Sequence, residues 1–204
     1  GANSVSGNTV LGESALDASV SGGDNTAIGK EALTALTSGT NNVAVGIQAL
    51  AANTTASNNT AVGRLALAAN TVGTENTAIG GRALDANTEG DSNTALGSIS
   101  LTANTTGENN TGLGRGALAA NTTASNNTAL GYNSLTANTT GANSTAVGAN
   151  ALDAQTTGGN NTAIGYLAGT SLTTGTSNTA LGNSALEGCV DGINNVAVGF
   201  ETGT

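Results

Sequence analysis

The feature that most constrains this chain is a seventeen-residue repeat that runs through it without interruption. A segment of the form Asn-Thr-Ala-aliphatic-Gly begins at Asn8, returns at Asn25 and Asn42, and occurs twelve times at this constant spacing, the last time at Asn195. The consensus unit is N-T-A-[ILV]-G-x-x-A-L-x-A-N-T-T-G-x-N, whose residues we number as repeat positions 1 to 17. A short repeat with alternating patterning is typical of a solenoid in which each repeat forms one coil.

A helical repeat is disfavoured, because the Gly at position 5 and the Asn, Thr and Gly at positions 12 to 15 would interrupt a helix in every unit. We therefore expect an all-β fold, a parallel β-solenoid of twelve 17-residue coils. It forms a single repeat domain over 1–204, with a partial coil at 1–7, full coils over 8–194 and a partial coil at 195–204.

The composition excludes several kinds of chemistry. The chain has no His, one Cys, four basic and thirteen acidic residues, and a net charge of −9. Without His there is no Ser-His-Asp triad and no Cys-His pair, and the acidic residues form no calcium-binding nonapeptide pattern. The charge disfavours nucleic acid and anionic membrane surfaces as partners. We expect no enzyme activity, no cofactor, no metal site and no membrane insertion in this segment.

The twelve copies also show which repeat positions accept a charge. All acidic and basic residues fall on positions 6, 7, 10, 14, 16 and 17, and none on the others. Because burying an unpaired charge is costly, the first group is expected to face water. Position 4 is always Leu, Ile or Val, and position 9 is Leu in ten units, so both positions are predicted to form the interior. The predicted core includes Ile28, Leu33, Val45, Leu50, Val62, Leu67, Ile79 and Leu84.

Positions 2 to 5 are interpreted as a strand. Alternate side chains of a strand point to opposite faces, so positions 2 and 4 share one face, and positions 3 and 5 share the other. With position 4 assigned to the interior, the face of Ala and Gly points outward, and its lack of charge favours coverage by a second chain. An exposed but uncharged surface is the alternative. The predicted assembly strand comprises Ala27, Gly29, Ala44, Gly46, Ala61, Gly63, Ala78, Gly80, Ala95, Gly97, Ala129 and Gly131.

Two further predictions concern Gly and Asn. The Gly at position 5 recurs in all twelve units, which indicates a positive φ or a close backbone approach. The Asn residues at positions 1 and 12 are expected to be turn residues whose amides stack into ladders along the axis. Position 12 also accepts Leu36, Leu172 and Cys189, which indicates that it points at least partly inward. The Asn-x-Thr spacing of glycosylation sites arises automatically from such a repeat.

Rows of Thr at positions 2 and 13 would repeat every ~4.8 Å along a solenoid. Regular Thr rows are used by ice-binding solenoids, although burial of Thr explains the pattern more economically. The three aromatic residues, Tyr132, Tyr166 and Phe200, all occupy position 6. They are candidate contacts with a receptor or a glycan; simple tolerance of an outward position is the alternative.

The recurring N-[TS]-A-[IVL]-G-x-x-[AS] segment resembles the N-S-V-A-I-G-x-x-S repeat in the head of trimeric autotransporter adhesins, and the similar arrays of bacterial and phage tail-fibre-like proteins. The resemblance implies a left-handed parallel β-roll, three of which pack around an axis through their inner strands and bind host surfaces. The repeat of this chain is longer than the unit of those heads.

The functional expectation is a non-enzymatic, structural and adhesive segment of an extracellular, cell-surface or virion fibre. Its expected partners are further copies of itself, as a homotrimer or a head-to-tail filament, and a host surface or glycan receptor. Because both ends carry ordinary repeats rather than caps, we expect the ends to be covered by another copy or by neighbouring segments of a longer chain. A filament subunit without an adhesive role and an ice-binding protein are the alternatives.

Overall fold

The computed structural model describes residues 7–203 as a parallel β-solenoid without helices, which confirms the predicted fold class. Residues 1–6 of the predicted first partial coil, and Thr204, lie outside the described residues. Twelve strands form one sheet in chain order, and eleven complete turns connect them. The strands are β1 (Thr9–Leu11), β2 (Thr26–Ile28), β3 (Val43–Val45), β4 (Thr60–Val62), β5 (Thr77–Ile79), β6 (Thr94–Leu96), β7 (Thr111–Leu113), β8 (Thr128–Leu130), β9 (Thr145–Val147), β10 (Thr162–Ile164), β11 (Thr179–Leu181) and β12 (Val196–Val198).

Each strand pairs in parallel with the strand one repeat further on, so identical repeat positions lie next to each other along the axis. The same coil-to-coil hydrogen bonding continues around the turns. At position 9 the Leu33 amide donates to the Ala49 carbonyl at 3.1 Å, and at position 13 the Thr37 amide donates to the Thr54 carbonyl at 2.8 Å. The residues described contain no helix that could cross a membrane.

The Gly at position 5 has both properties that its recurrence predicted. Its φ lies between 128° and 143° in the twelve coils, a range that L side chains rarely adopt. A Cβ atom on Gly29 would also lie 2.5 Å from the carbonyl oxygen of Gly46 in the next coil. The chain leaves each strand through this residue, so any side chain there would separate the coils.

The interior is built mainly from the Leu at position 9 and the Ala at positions 3 and 8. The predicted core residues Leu33, Leu50, Leu67 and Leu84 are fully buried, as expected. These Leu residues adopt a left-handed backbone, with φ of 50° at Leu33, which costs about 1 kcal/mol per residue. Burial of a Leu side chain stabilises the fold by about 2–3 kcal/mol and offsets that cost.

The prediction for position 4 was wrong. Ile28, Val45 and Val62 are only half-buried, and Ile79 is 37% exposed. The Ala residues at position 3, by contrast, are fully buried inside the coil. The alternation of the strand was predicted correctly, but the face that points inward is the opposite one.

The reason is the thickness of the coil. At Gly169, which replaces Leu at position 9, an added Cβ would lie 2.9 Å from Leu152 Cδ2 and 3.7 Å from Ala163 Cβ. The position-9 side chains thus reach the inner side of the sheet. At Gly112, a position-3 residue, an added Cβ would lie 2.5 Å from Ser100 Oγ. In such a coil the inner side of the sheet accommodates a residue as small as Ala, and the branched aliphatic side chain points outward.

Two ladders of buried Asn side chains run along the axis, as the sequence predicted. At position 1 the backbone N–H of Asn42 donates to Asn25 Oδ1 at 3.0 Å, while the side-chain Nδ2 of Asn42 donates to the Ala56 carbonyl at 2.9 Å. At position 12 Asn104 Nδ2 donates to Asn87 Oδ1 at 2.8 Å. These side chains are fully buried, and their hydrogen bonds satisfy the backbone of the turns.

One coil departs from the consensus in both ladders at once. Ser144 replaces Asn at position 1, and Gln155 replaces Asn at position 12. Gln155 Nε2 donates to Ser144 Oγ at 3.2 Å and to Asn138 Oδ1 at 3.2 Å, while its Oε1 accepts from Asn161 Nδ2 at 2.9 Å. The Gln155 side chain is longer than the Asn it replaces and therefore reaches the short Ser144 side chain. In this way it links the position-12 ladder to the position-1 ladder.

Candidate assembly surface

The predicted assembly strand does not form an outer surface. Its Ala residues lie inside the coil with no exposed area, and its Gly residues are half-buried where the coils stack. The physical reason is the thin interior described above, which holds Ala at position 3 in ten coils; the branched Val10 occurs there only in the first strand, where it is partly buried against the core. The residues placed in this way are Ala27, Gly29, Ala44, Gly46, Ala61, Gly63, Ala78, Gly80, Ala95, Gly97, Ala129 and Gly131.

The outer side of the sheet carries the residues at positions 2 and 4, which we call the Thr/aliphatic face. Position 2 is Thr in ten coils and Val in two, and position 4 is Leu, Ile or Val in all twelve. Ile79, Leu96, Leu130, Ile164 and Leu181 are 37–43% exposed in the middle coils. No acidic or basic residue occurs at either position. A charge-free surface of this kind therefore runs along the whole sheet.

The size of this face can be estimated from strand geometry. Eleven steps of about 4.8 Å give a length of about 53 Å, and the two rows are about 7 Å apart, so the area between the rows is about 370 Å². Contiguous apolar patches of this size on soluble proteins commonly mark interaction sites.

The two rows of Thr hydroxyls differ in what they bind. At position 13 the hydroxyls donate to the backbone of the next coil, as Thr71 Oγ1 does to the Thr88 carbonyl at 3.1 Å. Among the described residues, the position-2 hydroxyls form no hydrogen bond with other protein groups. The hydroxyls of the Thr/aliphatic face are therefore free to bind water or another molecule.

The charged residues lie on other sides of the coil. Lys30 Nζ lies 3.3 Å from a carboxylate oxygen of Glu13, and Arg82 Nε lies 2.7 Å from a carboxylate oxygen of Asp85. The Lys30–Glu13 pair is exposed and contributes little to stability, whereas the Asp85 side chain is 14% exposed and also accepts a hydrogen bond from Thr102 Oγ1 at 2.6 Å. Within 7–203 no group of His, Cys, Asp or Glu could hold a metal ion.

No protein-family model, curated protein or solved structure matches this chain. What the chain can bind must therefore be inferred from its own surface chemistry.

The candidate contact residues Tyr132, Tyr166 and Phe200 are 50%, 52% and 67% exposed. They lie on the edge of the coil just beyond the position-5 Gly, next to the Thr/aliphatic face. The guanidinium carbon of Arg115 lies 5.8 Å from the centre of the Tyr132 ring. Cys189 is half-buried and packs against the core.

The Asn-x-Thr sequences fall into two structural groups. The Asn residues at position 12, such as Asn104, are fully buried in the amide ladder. Those at position 17, such as Asn109 and Asn160, are exposed in a turn with positive φ. The spacing of the sequence repeat alone did not distinguish these groups, because both arise from the same Asn-rich unit.

Proposed function

We propose that this chain is a non-enzymatic, structural segment of an extracellular or virion fibre, and that it associates with further copies of itself through the Thr/aliphatic face. The observation that carries the proposal is the partial exposure of an aliphatic residue at position 4 in every coil, on a face that never accepts a charge. Folding of a single chain leaves this row of aliphatic side chains partly exposed to water. Packing against identical chains would bury it.

The expected assembly has three chains around a common axis, with this face turned toward the axis. Covering the exposed part of each position-4 side chain would contribute roughly 1 kcal/mol per coil. Summed over the sheet, this is similar to the entropy cost of association, about 4–15 kcal/mol. Stable assembly therefore requires many coils in register, which is the property that a long uninterrupted repeat provides.

The adhesive role rests on the sides of the coil that remain outside such an assembly. These sides carry all the charged residues and the aromatic residues, and they vary from coil to coil. A host surface or glycan would be bound there. A filament subunit without an adhesive role would share the same assembly face and lack this binding.

The test is the native mass of the chain, measured by analytical ultracentrifugation. The wild type is expected to sediment as three chains, and Ile79→Asp combined with Ile164→Asp as one chain. The matched control is Thr106→Asp with Thr157→Asp, at the exposed position 14, where Glu89 and Asp191 occur naturally. A monomeric wild type, or a control that dissociates like the first variant, would contradict the proposal.

Ice binding is a second candidate, and one observation favours it. The position-2 hydroxyls form a regular row without protein partners in the described part of the chain, beside a parallel row of aliphatic groups. A flat, charge-free array of this kind could order water. The test is thermal hysteresis, the gap between the freezing and melting points of ice in a solution of the protein. A gap in the wild type that disappears in the double variant Thr77→Asp with Thr128→Asp would support ice binding. No gap in the wild type would exclude it.

A further inference from the structure

The aromatic residues occupy every second coil at the C-terminal end of the position-6 row. Tyr132, Tyr166 and Phe200 are each separated by two repeats, with Ala149 and Asn183 in the coils between them. Because the coils stack in register, consecutive aromatic residues of this strip lie about 10 Å apart along the axis. The three rings therefore form a straight, evenly spaced and exposed row about 20 Å long.

The surroundings of this strip are rich in amides, and at positions 6 and 7 charged residues occur only at its two ends, Arg115 beside Tyr132 and Glu201 beside Phe200. Asn133 and Asn150 at position 7 and Asn183 at position 6 form no side-chain hydrogen bond with the rest of the described chain. From residue 116 to residue 200, neither position 6 nor position 7 carries a charged residue. The same two positions in the N-terminal coils carry Glu13, Lys30, Glu31, Arg64 and Arg82.

We propose that the strip of Tyr132, Tyr166 and Phe200 binds an extended, uncharged β-1,4-linked polysaccharide. The apolar faces of pyranose rings stack on exposed aromatic rings, and amide groups hydrogen-bond their hydroxyls. In an extended β-1,4-linked chain, every second sugar presents the same face. The spacing of two coils, about 10 Å, corresponds to about two such sugars, so one polysaccharide chain can contact all three rings.

Arg115 gives the strip a defined end. Its guanidinium carbon lies 5.8 Å from the centre of the Tyr132 ring, and Nη1 donates to the Tyr132 hydroxyl at 3.5 Å. A cation near the ring restricts its orientation. Arg115 therefore acts as a positioning residue for Tyr132, and Arg115→Lys would preserve the charge while weakening the planar contact.

The inference gives a ligand class to the adhesive part of the proposed function, and it rests on that proposal only in requiring the strip to stay uncovered in the fibre. The aromatic side chains project from position 6, beyond the Gly that ends each strand. They therefore do not belong to the Thr/aliphatic face. Binding and self-association can be lost independently of each other.

The experiment measures binding of the full chain to cellohexaose and chitohexaose by isothermal titration calorimetry, with maltohexaose as the α-linked control. Binding to at least one β-1,4-linked hexasaccharide is expected, and the two arms distinguish a glucose from an N-acetylglucosamine polymer. Each hexasaccharide should bind at least tenfold more tightly than its disaccharide, because only the longer ligand reaches all three rings. Absence of binding to both, or equal affinity for maltohexaose, would overturn the proposal.

The variants Tyr132→Ala, Tyr166→Ala and Phe200→Ala each should weaken binding about tenfold, the loss expected for one stacked ring. The matched control is Ile47→Ala, at position 6 of an N-terminal coil, which should bind as the wild type does. Native mass is measured on the same samples: aromatic variants that lose binding but keep their mass support the strip. Aromatic variants that bind as tightly as the wild type would overturn it, whatever their mass.

Discussion

On its inward side the strand carries a single Ala in ten of the twelve coils, with Val10 and Gly112 as the exceptions, whereas on its outward side it carries a Thr or Val and a branched aliphatic residue. Neither side accepts a charge in any coil. The inward side is charge-free because Ala78 and its equivalents are enclosed by the position-9 Leu residues. The outward side is equally charge-free although Ile79 is 37% exposed in one chain. Burial within one chain thus explains the absence of charge on the inward side, and the proposed packing against other copies would explain it on the outward side.

The largest expected effect comes from placing the same charge on each side in turn. Ala78→Asp buries a carboxylate without a partner, which costs several kcal/mol, and should prevent folding of the coils around it. Ile79→Asp, one residue further on, should leave the free energy of unfolding of the monomer within about 1 kcal/mol of the wild type. Circular dichroism during urea unfolding measures both. Equal destabilisation by the two changes would contradict the assignment of the sides.

The inward side can also be tested by overfilling it. Gly169→Leu restores the consensus residue at position 9, but Leu152 Cδ2 lies 2.9 Å and Leu172 Cδ1 lies 3.1 Å from the place of the new Cβ, so both side chains must move. Because Leu33 and Leu36 fill positions 9 and 12 of another coil together, we expect a loss at the lower end of the overpacking range, about 1 kcal/mol. The double variant Gly169→Leu with Leu172→Asn reproduces the consensus coil and should recover most of that loss. Failure of the second change to rescue the first would show that the coil does not pack as described.

A smaller effect is expected from the paired exception in the buried ladders. Ser144→Asn alone brings an amide against Gln155, and Gln155→Asn alone removes the hydrogen bond to Ser144 and leaves Asn161 Nδ2 with one acceptor fewer. The double variant restores the consensus at both positions. The coupling energy from a double-mutant cycle should be about 0.5–3 kcal/mol in favour of the matched pairs. Additive effects would mean that the two side chains do not interact.

The smallest effect is expected on the outward side. Ile164→Val removes one methylene from a side chain that is 40% exposed, so it should change the unfolding free energy of the monomer by less than about 0.5 kcal/mol. Ala163→Val, its inward neighbour, adds volume where the coil is full and should cost about 1–3 kcal/mol. Thermal unfolding at low protein concentration compares the two, and the reverse order of costs would contradict the account.

Much of this structure could be predicted from the repeat itself. The period predicted the coils, the recurrence of Gly12 and its equivalents predicted their close stacking, and the Asn positions predicted two ladders. The face of the strand that points inward was not predicted correctly, because hydrophobicity alone favours burying Ile28 over Ala27. The sequence nevertheless contains the relevant signal: position 4 exchanges Ile, Leu and Val freely, while position 9 is Leu in nearly every coil and position 3 is almost always Ala.

That signal follows from packing. A close-packed interior distinguishes side chains by shape as well as by polarity, so a position that accepts three shapes is less tightly enclosed than one that accepts only one. The compensation between Ser144 and Gln155 could not be read from a single sequence, because the two residues are eleven positions apart and meet only through the path of the coil. The exposure of the aromatic residues was predicted from the charged residues that share position 6, whereas their place at the edge of the coil was not.

The central claim is that the outward side of the sheet is covered by other copies of the chain while the inward side is covered by its own coil. It is tested most directly by the maleimide reaction rates of single thiols in Ala78→Cys and Ile79→Cys, each combined with Cys189→Ser. The account predicts that the thiol at 78 reacts only after unfolding, whereas the thiol at 79 is protected at high protein concentration and reacts quickly once dilution separates the chains. The account would be contradicted if the thiol at 79 reacted quickly at every protein concentration. It would also be contradicted if the thiol at 78 reacted faster than the thiol at 79.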